Sequence, residues 1–239
     1  MWSSEVTNMI ITGIWETLYM TLVSTLVGYV IGLPMGIILT VSDKDGIKPN
    51  AVLYKILDVI ANIVRSVPFI ILLVLLIPFT RLVVGKSYGS TATIVPLVIA
   101  AAPYIARMVE SSLKEVDAGV IEAARSMGAS NFTIITKVML VEARTSLLVG
   151  ATITLGTILG YSAMSGAVGG GGLGAIAIRY GYTRWQTDIM IVTVVLLVVL
   201  FQIFQTQPRV AVQVRVRLVR QRKARNQVAF AVLRVRHDV

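Results

Sequence analysis

Long runs of apolar residues, separated by shorter polar segments, organise the first 208 residues of the chain. Five of these runs approach the length of about 20 residues that a helix needs to cross the core of a bilayer. Because lipid offers no hydrogen-bonding partner to the backbone, each run is predicted to be helical. The predicted spans are residues 18–41, 66–79, 91–109, 147–168 and 189–204.

This pattern predicts an all-α integral membrane protein with one transmembrane domain over residues 1–208. The composition agrees, because 56% of residues are hydrophobic, only 14% are charged and the mean hydropathy is +0.80. Soluble proteins usually carry about 25% charged residues, so a soluble globular protein is excluded. The chain has no cysteine and a single histidine, His237, which argues against disulfides, thiolate metal sites and histidine-based catalysis.

The distribution of Lys and Arg predicts the orientation, because basic residues favour the cytoplasmic side of a membrane. With the amino terminus outside, residues 41–65 and 107–144 become cytoplasmic and together carry nine basic residues. The outer segments then carry four. We therefore expect a multi-pass protein with its amino terminus outside and its carboxyl terminus in the cytoplasm.

Residues 209–239 form a basic tail that differs from the rest of the chain. The tail holds 9 Lys and Arg against 1 acidic residue, whereas residues 1–208 hold 13 against 11. Attraction to anionic lipid is one interpretation, and an altered reading frame near Gln207 is another. Nucleic-acid binding lacks interleaved aromatic residues to support it. We assign the tail no function.

The polar segment over residues 111–144 is predicted to fold as a helix, a sharp turn and a second helix. Asp117 can cap the first helix, and Gly128 stands where a left-handed residue would end it. Ser130 or Asn131 can cap the second helix. The apolar positions of the first helix follow a helical period: Val120, Ala123, Ala124 and Met127. The small alanines would allow a close approach, which suits a short helix docked in a partner's groove.

The same segment contains an ordered set of residues: Glu122-Ala123-Ala124, then Gly128, then Val138-Met139-Leu140. This order resembles the loop shared by permease subunits of binding-protein-dependent ABC importers. In that family Glu-Ala-Ala is followed by a Gly and then by Ile-x-Leu-Pro. Two positions depart from the family pattern, since Val138 replaces the Ile and Val141 replaces the Pro. The second departure leaves the turn after the second helix less defined.

Further stretches, residues 63–81, 102–110 and 160–174, resemble methionine-import permeases in particular. The resemblance implies the type I ABC importer permease fold, located in the bacterial inner membrane. It also implies a homodimer that binds two ATP-binding subunits and receives methionine from an extracytoplasmic binding lipoprotein. The chain itself would be no enzyme and would hold no cofactor, because ATP and Mg²⁺ would bind to the partner ATPase.

The resemblance implies two groups of functional residues. Contact with the ATPase is expected from the first helix of the loop and its turn, at Glu122, Ala123, Ala124, Met127 and Gly128. The substrate pathway is expected near the end of the fourth span, at Tyr161, Ser162 and Met164. A thioether suits an adaptable apolar constriction, although packing alone would equally explain Met164.

Two other functions are compatible with parts of this pattern. The same architecture could carry a different amino acid, because pathway residues alone rarely define a substrate. A secondary transporter or channel would need no ATPase, but ion coupling usually depends on internal repeats or on acidic residues within the membrane. The middle of every predicted span lacks Asp and Glu.

Residues 166–174 contain the spacing G-x-G-x-x-G, which in a soluble domain would suggest a nucleotide site. Here the glycines follow a membrane span instead of a strand, and the Lys-Ser/Thr of a phosphate-binding loop is missing. Two interpretations remain, a close helix contact at the dimer interface and a hinge at the outer mouth of the pathway.

Charged residues near the inner ends of two predicted spans are interpreted as structural residues and not as functional ones. Arg65 is interpreted as an anchor that extends to the cytoplasmic boundary, with a charge inside the membrane as the alternative. Arg107 and Glu110 are interpreted as a salt bridge at the end of the third span.

Overall fold

The computed structural model describes residues 4–206, and all regular structure in that part of the chain is helical. The first half contains α1 (Ser4–Ser42), α2 (Ala51–Ser66), α3 (Phe69–Leu75), α4 (Ile77–Val84), α5 (Ser90–Lys114) and α6 (Ala118–Ser126). The second half contains α7 (residues 131–142, π-helical over Ile134–Met139), α8 (Arg144–Ser165), α9 (Gly172–Ile176, continued by the π-helical Ala177–Tyr182) and α10 (Thr187–Thr206). The predicted all-α fold is confirmed.

Four helical stretches of the described residues are long and apolar enough to cross a membrane. They are α1, α5, the stretch Arg144–Tyr182 and α10. The helices α2 and α3 pass the same test as a pair, which is bent by 102°. Counting that pair as one broken span gives five candidate spans, the number expected from the sequence.

The bend between α2 and α3 occurs at Pro68. Val67 is extended there, with φ −82° and ψ 124°, which is the conformation that a following proline favours. Residues 66–79, which we expected to form one span, are therefore divided between α3 and α4, with the break between them at Leu76. An apolar run identifies a segment that suits lipid, but it does not exclude a break within that segment.

Helix α1 packs along α5, and the two helices run in the same direction. At one end the Ser90 hydroxyl donates to Glu16 over 3.4 Å, and at the other Lys114 donates to Asp43 over 2.6 Å. Between these ends the two backbones approach closely, since a Cβ built on Gly36 would lie 2.5 Å from an α5 carbonyl oxygen. Small residues permit such contacts where lipid supplies no hydrophobic driving force between helices.

The two ends of this helix pair carry different structures. Residues 166–174, which include the link after α8 and the first residues of α9, contact α1 at Glu16, and we call this the glycine-loop end. Helix α6 follows α5 directly beyond Lys114, and we call this the α6 end.

Candidate functional site

Helix α6 begins and ends with defined hydrogen bonds. At its start the Asp117 carboxylate accepts a hydrogen bond from the Gly119 N–H over 2.7 Å. At its end Gly128 adopts φ +79°, and the Ala129 N–H donates to the Ala124 carbonyl over 3.1 Å. The capped helix and the left-handed glycine agree with the sequence prediction.

The outer surface of α6 carries a stripe of apolar side chains. Met127 is 81% exposed and Val120 is 43% exposed, and Ala123 and Glu122 are also exposed. Ala124 is different, because it is only 5% exposed and belongs to the buried core of its own chain. The expectation that both alanines face a partner is therefore wrong for Ala124, whose small side chain lets α6 pack closely on its own subunit.

Helix α6 is also attached to the loop between α1 and α2. The Arg125 guanidinium donates to the Ile47 carbonyl oxygen over 2.9 Å. The sequence offers no signal for this contact, because the acceptor is a backbone group 78 positions away.

Charged residues at the α6 end form a network that joins α1, α2 and α5. Arg107 donates to Glu110 over 2.7 Å and also to Asp58. Lys114 donates to Glu110 over 2.8 Å and to Asp43 over 2.6 Å. The predicted salt bridge between Arg107 and Glu110 is present, as one contact of several. Carboxylates on other helices could not be matched to these cations from spacing alone.

The Lys114 ammonium group affects the titration of the loop residue Asp43. Its hydrogen bond holds the pKa of the Asp43 carboxyl below the usual value, because the contact favours the charged form. The carboxylate therefore stays ionised at neutral pH and keeps the end of α1 attached to the end of α5.

The three expected pathway residues lie in different surroundings. Tyr161 stacks on Phe69 of α3, with ring centroids 4.5 Å apart and planes inclined by 5°. Met164 is 53% exposed. Ser162 is buried, and its hydroxyl donates to the Leu159 carbonyl of its own helix over 2.8 Å. Met164 is thus exposed and Tyr161 partly buried, whereas Ser162 faces the protein interior, and a place in the substrate pathway remains a prediction for all three.

A cavity of about 190 Å³ lies where the bend between α2 and α3 meets α5 and α8. Arg65 lines it from the last turn of α2, and Ala100 and Tyr104 line it from α5. Those two α5 residues stand near the middle of a 25-residue helix. Arg65 therefore lies about half-way along α5, whereas a boundary anchor was expected near the last turn of that helix.

The glycine-loop end is hydrogen-bonded to two polar side chains of α1. The Glu16 carboxylate accepts a hydrogen bond from the Gly172 N–H over 2.6 Å, and the Thr17 hydroxyl accepts one from the Leu173 N–H over 2.9 Å. A Cβ built on Gly174 would lie 2.1 Å from a carbonyl oxygen of α8. The glycines thus allow close packing within one chain, and the contact across a dimer interface remains a prediction.

A family model described as the inner membrane component of binding-protein-dependent transport systems matches residues 28–207. The matched region runs from the middle of α1 to the end of α10 and includes α6, its turn and the cavity at Arg65. The chain belongs to this family. The loop that carried the resemblance in the sequence therefore lies on the surface of an inner membrane component.

Two curated relatives share about half of their aligned residues with this inner membrane component. A probable D-methionine transport system permease protein MetI of Vibrio cholerae is 50% identical over 205 residues, which covers 86% of this chain and 91% of the relative. The D-methionine transport system permease protein MetI of Escherichia coli K12 is 53% identical over 158 residues, covering 66% and 73%.

Solved structures of ABC transporters have the same fold. A chain of the MetNI methionine ABC transporter in inward-facing conformations matches with a TM-score of 0.87 and 50% identity, over 89% of this chain and 99% of that one. A chain from an amino acid ABC transporter with histidines matches with a TM-score of 0.72 over 87% and 95%, at 21% identity. The second likeness concerns the fold alone.

The described residues of this family member supply no cluster of three or more His, Cys, Asp or Glu that could hold a metal ion. Five of their charged residues make helix-to-helix contacts at the α6 end: Asp43, Asp58, Arg107, Glu110 and Lys114. The arrangement can position helices and present surfaces, which is what a transport component must do.

Proposed function

We propose that this chain is the permease subunit of an ATP-driven importer that carries methionine across the bacterial inner membrane. The observation that carries the proposal is the 50% identity with a MetI permease over 91% of that relative's length. The likeness to a chain of the MetNI transporter, with a TM-score of 0.87, supports the same assignment. The importer would contain two copies of this chain and two ATP-binding subunits, and a methionine-binding lipoprotein would deliver the substrate.

The exposed surface of α6 is the proposed contact with the ATPase. Val120, Ala123 and Met127 offer an apolar stripe, and Glu122 adds a charge beside it. The turn at Gly128 fixes the direction of the following helix. A short helix of this kind suits a groove on a partner, and the exposed Met is an adaptable contact residue.

Transport requires at least two states that differ in their contacts, because a partner shifts an equilibrium only by binding one state better. ATP and Mg²⁺ would bind to the ATPase, and closure of that partner would move α6. The hydrogen bond from Arg125 and the network around Lys114 would pass the movement to α1, α2 and α5. The pathway would open between the two permease copies, beside Tyr161 and Met164.

The orientation that fits this mechanism places α6 in the cytoplasm and the glycine-loop end outside. That arrangement agrees with the excess of basic residues around α6. It places the amino terminus outside and the carboxyl terminus inside. The basic tail lies outside the described residues and has no part in the proposal.

The function is tested by purifying the chain with its ATP-binding subunit and reconstituting the complex in liposomes. We expect ATP-dependent uptake of methionine that requires the binding lipoprotein. Uptake of another amino acid in place of methionine would preserve the architecture and overturn the substrate. Conduction without an ATPase would overturn the importer.

The α6 contact is tested by placing a carboxylate on each alanine in turn. Ala123→Glu should leave the folded permease intact but abolish association with the ATPase, because the new charge would lie in a close-packed contact. Ala124→Glu should instead destabilise the permease itself, since its site is buried in its own chain. Ser126→Ala, on an exposed position, serves as the control. Normal association of the Ala123→Glu variant would remove α6 as the coupling element.

A further inference from the structure

Arg65 is a charged side chain at mid-depth of the helical layer. Helix α5 runs through the layer from Ser90 to Lys114, and Arg65 shares a cavity with Ala100 and Tyr104. Ala100 is ten positions from the first residue of α5, and Tyr104 is ten positions from the last. A level half-way along a helix that crosses a hydrocarbon core of about 30 Å lies near the middle of that core.

The contacts of Arg65 differ from those of Arg107, the other arginine on the facing surfaces of α2 and α5. Arg107 is held between Asp58 and Glu110. Arg65 has no ion pair with any residue in the described part of the chain, and its side chain is exposed. Arginines inside membrane proteins are costly unless they meet a counter-charge or a water-filled pathway. The charge of the Arg65 guanidinium at mid-depth is therefore not balanced by any residue in the described part of the chain.

Apart from Arg65, the residues that line the same cavity are aromatic or aliphatic. Phe69 and Tyr161 form a parallel stack, and Tyr104 and Leu72 complete the wall. The volume of about 190 Å³ corresponds to roughly six water molecules, at about 30 Å³ each. A site with one cation and an aromatic wall suits a small molecule that has a carboxylate at one end and an apolar body.

The bend at Pro68 explains why the cation can occupy this place. It ends α2 at mid-depth, so that Arg65 in the last turn of α2 projects into the space beside α5. Irregular backbone within a membrane is tolerated where it lines a cavity, and transporters place substrate sites at such broken helices.

We propose that Arg65 binds the α-carboxylate of the amino acid during its passage, while Phe69, Tyr104 and Tyr161 contact its apolar side chain. The inference rests on the proposed function, because it gives that importer a transient substrate-binding site within the membrane. A guanidinium binds a carboxylate through two parallel N–H donors, which a lysine ammonium cannot do. Arg65 is thus a specificity-determining residue for the carboxylate group, independent of the apolar part of the substrate.

The first test measures uptake of radiolabelled methionine by the full reconstituted complex at matched protein levels. Arg65→Gln should lower the uptake rate roughly tenfold or more, because it removes a charge-assisted contact. Arg65→Lys should restore uptake only in part. Both variants should keep association with the ATPase, because Arg65 belongs to α2 and not to α6. The control is Lys55→Gln, which removes an exposed charge elsewhere on α2.

The second test uses the absence of native cysteine in the chain. A thiol introduced by Arg65→Cys should react with a water-soluble methanethiosulfonate, and methionine with the binding protein and a trapped ATPase should slow the reaction. A reagent that attaches an ammonium group should raise uptake above that of the unmodified variant, whereas one that attaches a sulfonate should not. The control thiol is Ile63→Cys, on a 61% exposed position of α2 outside the cavity.

The outcomes separate the site from the function. If the parent complex imports methionine and Arg65→Gln does so at the parent rate, the carboxylate site is overturned and the importer stands. An unreactive thiol at position 65 together with parental uptake by Arg65→Gln would show that Arg65 is a structural or lipid-facing cation only. If the parent complex imports no methionine, the proposed function fails first.

Discussion

Two glycines at opposite ends of the molecule, Gly128 and Gly174, serve different physical purposes. At the α6 end, Gly128 has φ +79°, and a Cβ added there would meet nothing within 4 Å. At the glycine-loop end, Gly174 has ordinary helical backbone, and a Cβ added there would lie 2.1 Å from a carbonyl oxygen. Gly128 is needed for its backbone conformation, whereas Gly174 is needed for its lack of volume.

The difference predicts which substitutions each end tolerates. A position that requires positive φ accepts Asn, which visits the left-handed region more readily than other residues with a side chain. A position in contact with backbone atoms accepts no side chain, because backbone cannot move aside as a flexible side chain can. Position 128 should therefore tolerate volume, and position 174 should tolerate none.

The largest effect is expected for Gly174→Ala. The added methyl group would overlap the backbone of α8, and such overpacking should cost about 3 kcal/mol or more of stability. Gly160→Ala is the matched control, because a Cβ at that position of α8 meets nothing within 4 Å. Melting of the detergent-purified complex measures both variants. Equal melting temperatures for the two variants would show that the segment can accommodate the added methyl group without loss of stability.

Gly128→Val comes next. A β-branched residue at positive φ should cost about 1 to 3 kcal/mol locally and turn the second helix of the loop away from its place. The variant should still insert in the membrane, but it should lose ATPase association and uptake. Gly128→Asn should retain most of both. If Val and Asn behave alike, the turn does not depend on the left-handed conformation.

Glu16→Ala should have an intermediate effect at the glycine-loop end. The change removes the acceptor of the Gly172 N–H, and a hydrogen bond to a charged group contributes about 1.5 kcal/mol or more. Hydrogen exchange of the loop amides should rise, and the melting temperature should fall. Glu5→Ala, an exposed glutamate in the first turn of the same helix, should change neither.

Arg125→Ala should have a smaller effect at the α6 end. Its hydrogen bond with the Ile47 carbonyl is exposed to solvent, so its loss should cost less than about 1 kcal/mol of stability. Uptake per ATP hydrolysed should fall while ATPase association persists. Arg144→Ala removes another exposed arginine and should leave this ratio unchanged. A parental ratio for Arg125→Ala would exclude this contact from the transmission of movement.

Deletion of residues 209–239 should have the smallest effect. The family match ends at residue 207, before the deleted segment begins. Methionine uptake in cells, at matched membrane levels of the two chains, should remain close to that of the full chain. A loss of most uptake would assign the tail a role that its composition does not suggest.

Local signals in the sequence were sufficient for α6 and its turn. Asp117 as a cap, the helical period after it and Gly128 at the end all act through neighbours within a few residues, so their pattern is visible in the chain itself. The glycine-rich segment was recognised too, but its partner Glu16 was not. That contact joins residues 156 positions apart, and nothing near Gly172 indicates which acceptor its N–H will meet.

Depth within the membrane was harder to predict than membrane location. Arg65 was placed near the boundary because the apolar run begins after it, at residue 66. The structure shows that α2, although partly polar, already lies along α5 and bends away only at Pro68. The polar side of α2 is satisfied by Arg107 through Asp58 and Asn62, and that pairing depends on tertiary contact. An average over a sequence window cannot represent it.

The contact between Arg125 and Ile47 has a consequence for how this family can diverge. The acceptor is a main-chain oxygen, which every amino acid at position 47 would supply. Substitutions at that position can therefore accumulate without any compensating change at position 125. Pairwise covariation among homologues should accordingly fail to detect this link between α6 and the first loop, even in a large alignment. Homologues should instead keep arginine at position 125 while the residue at position 47 varies.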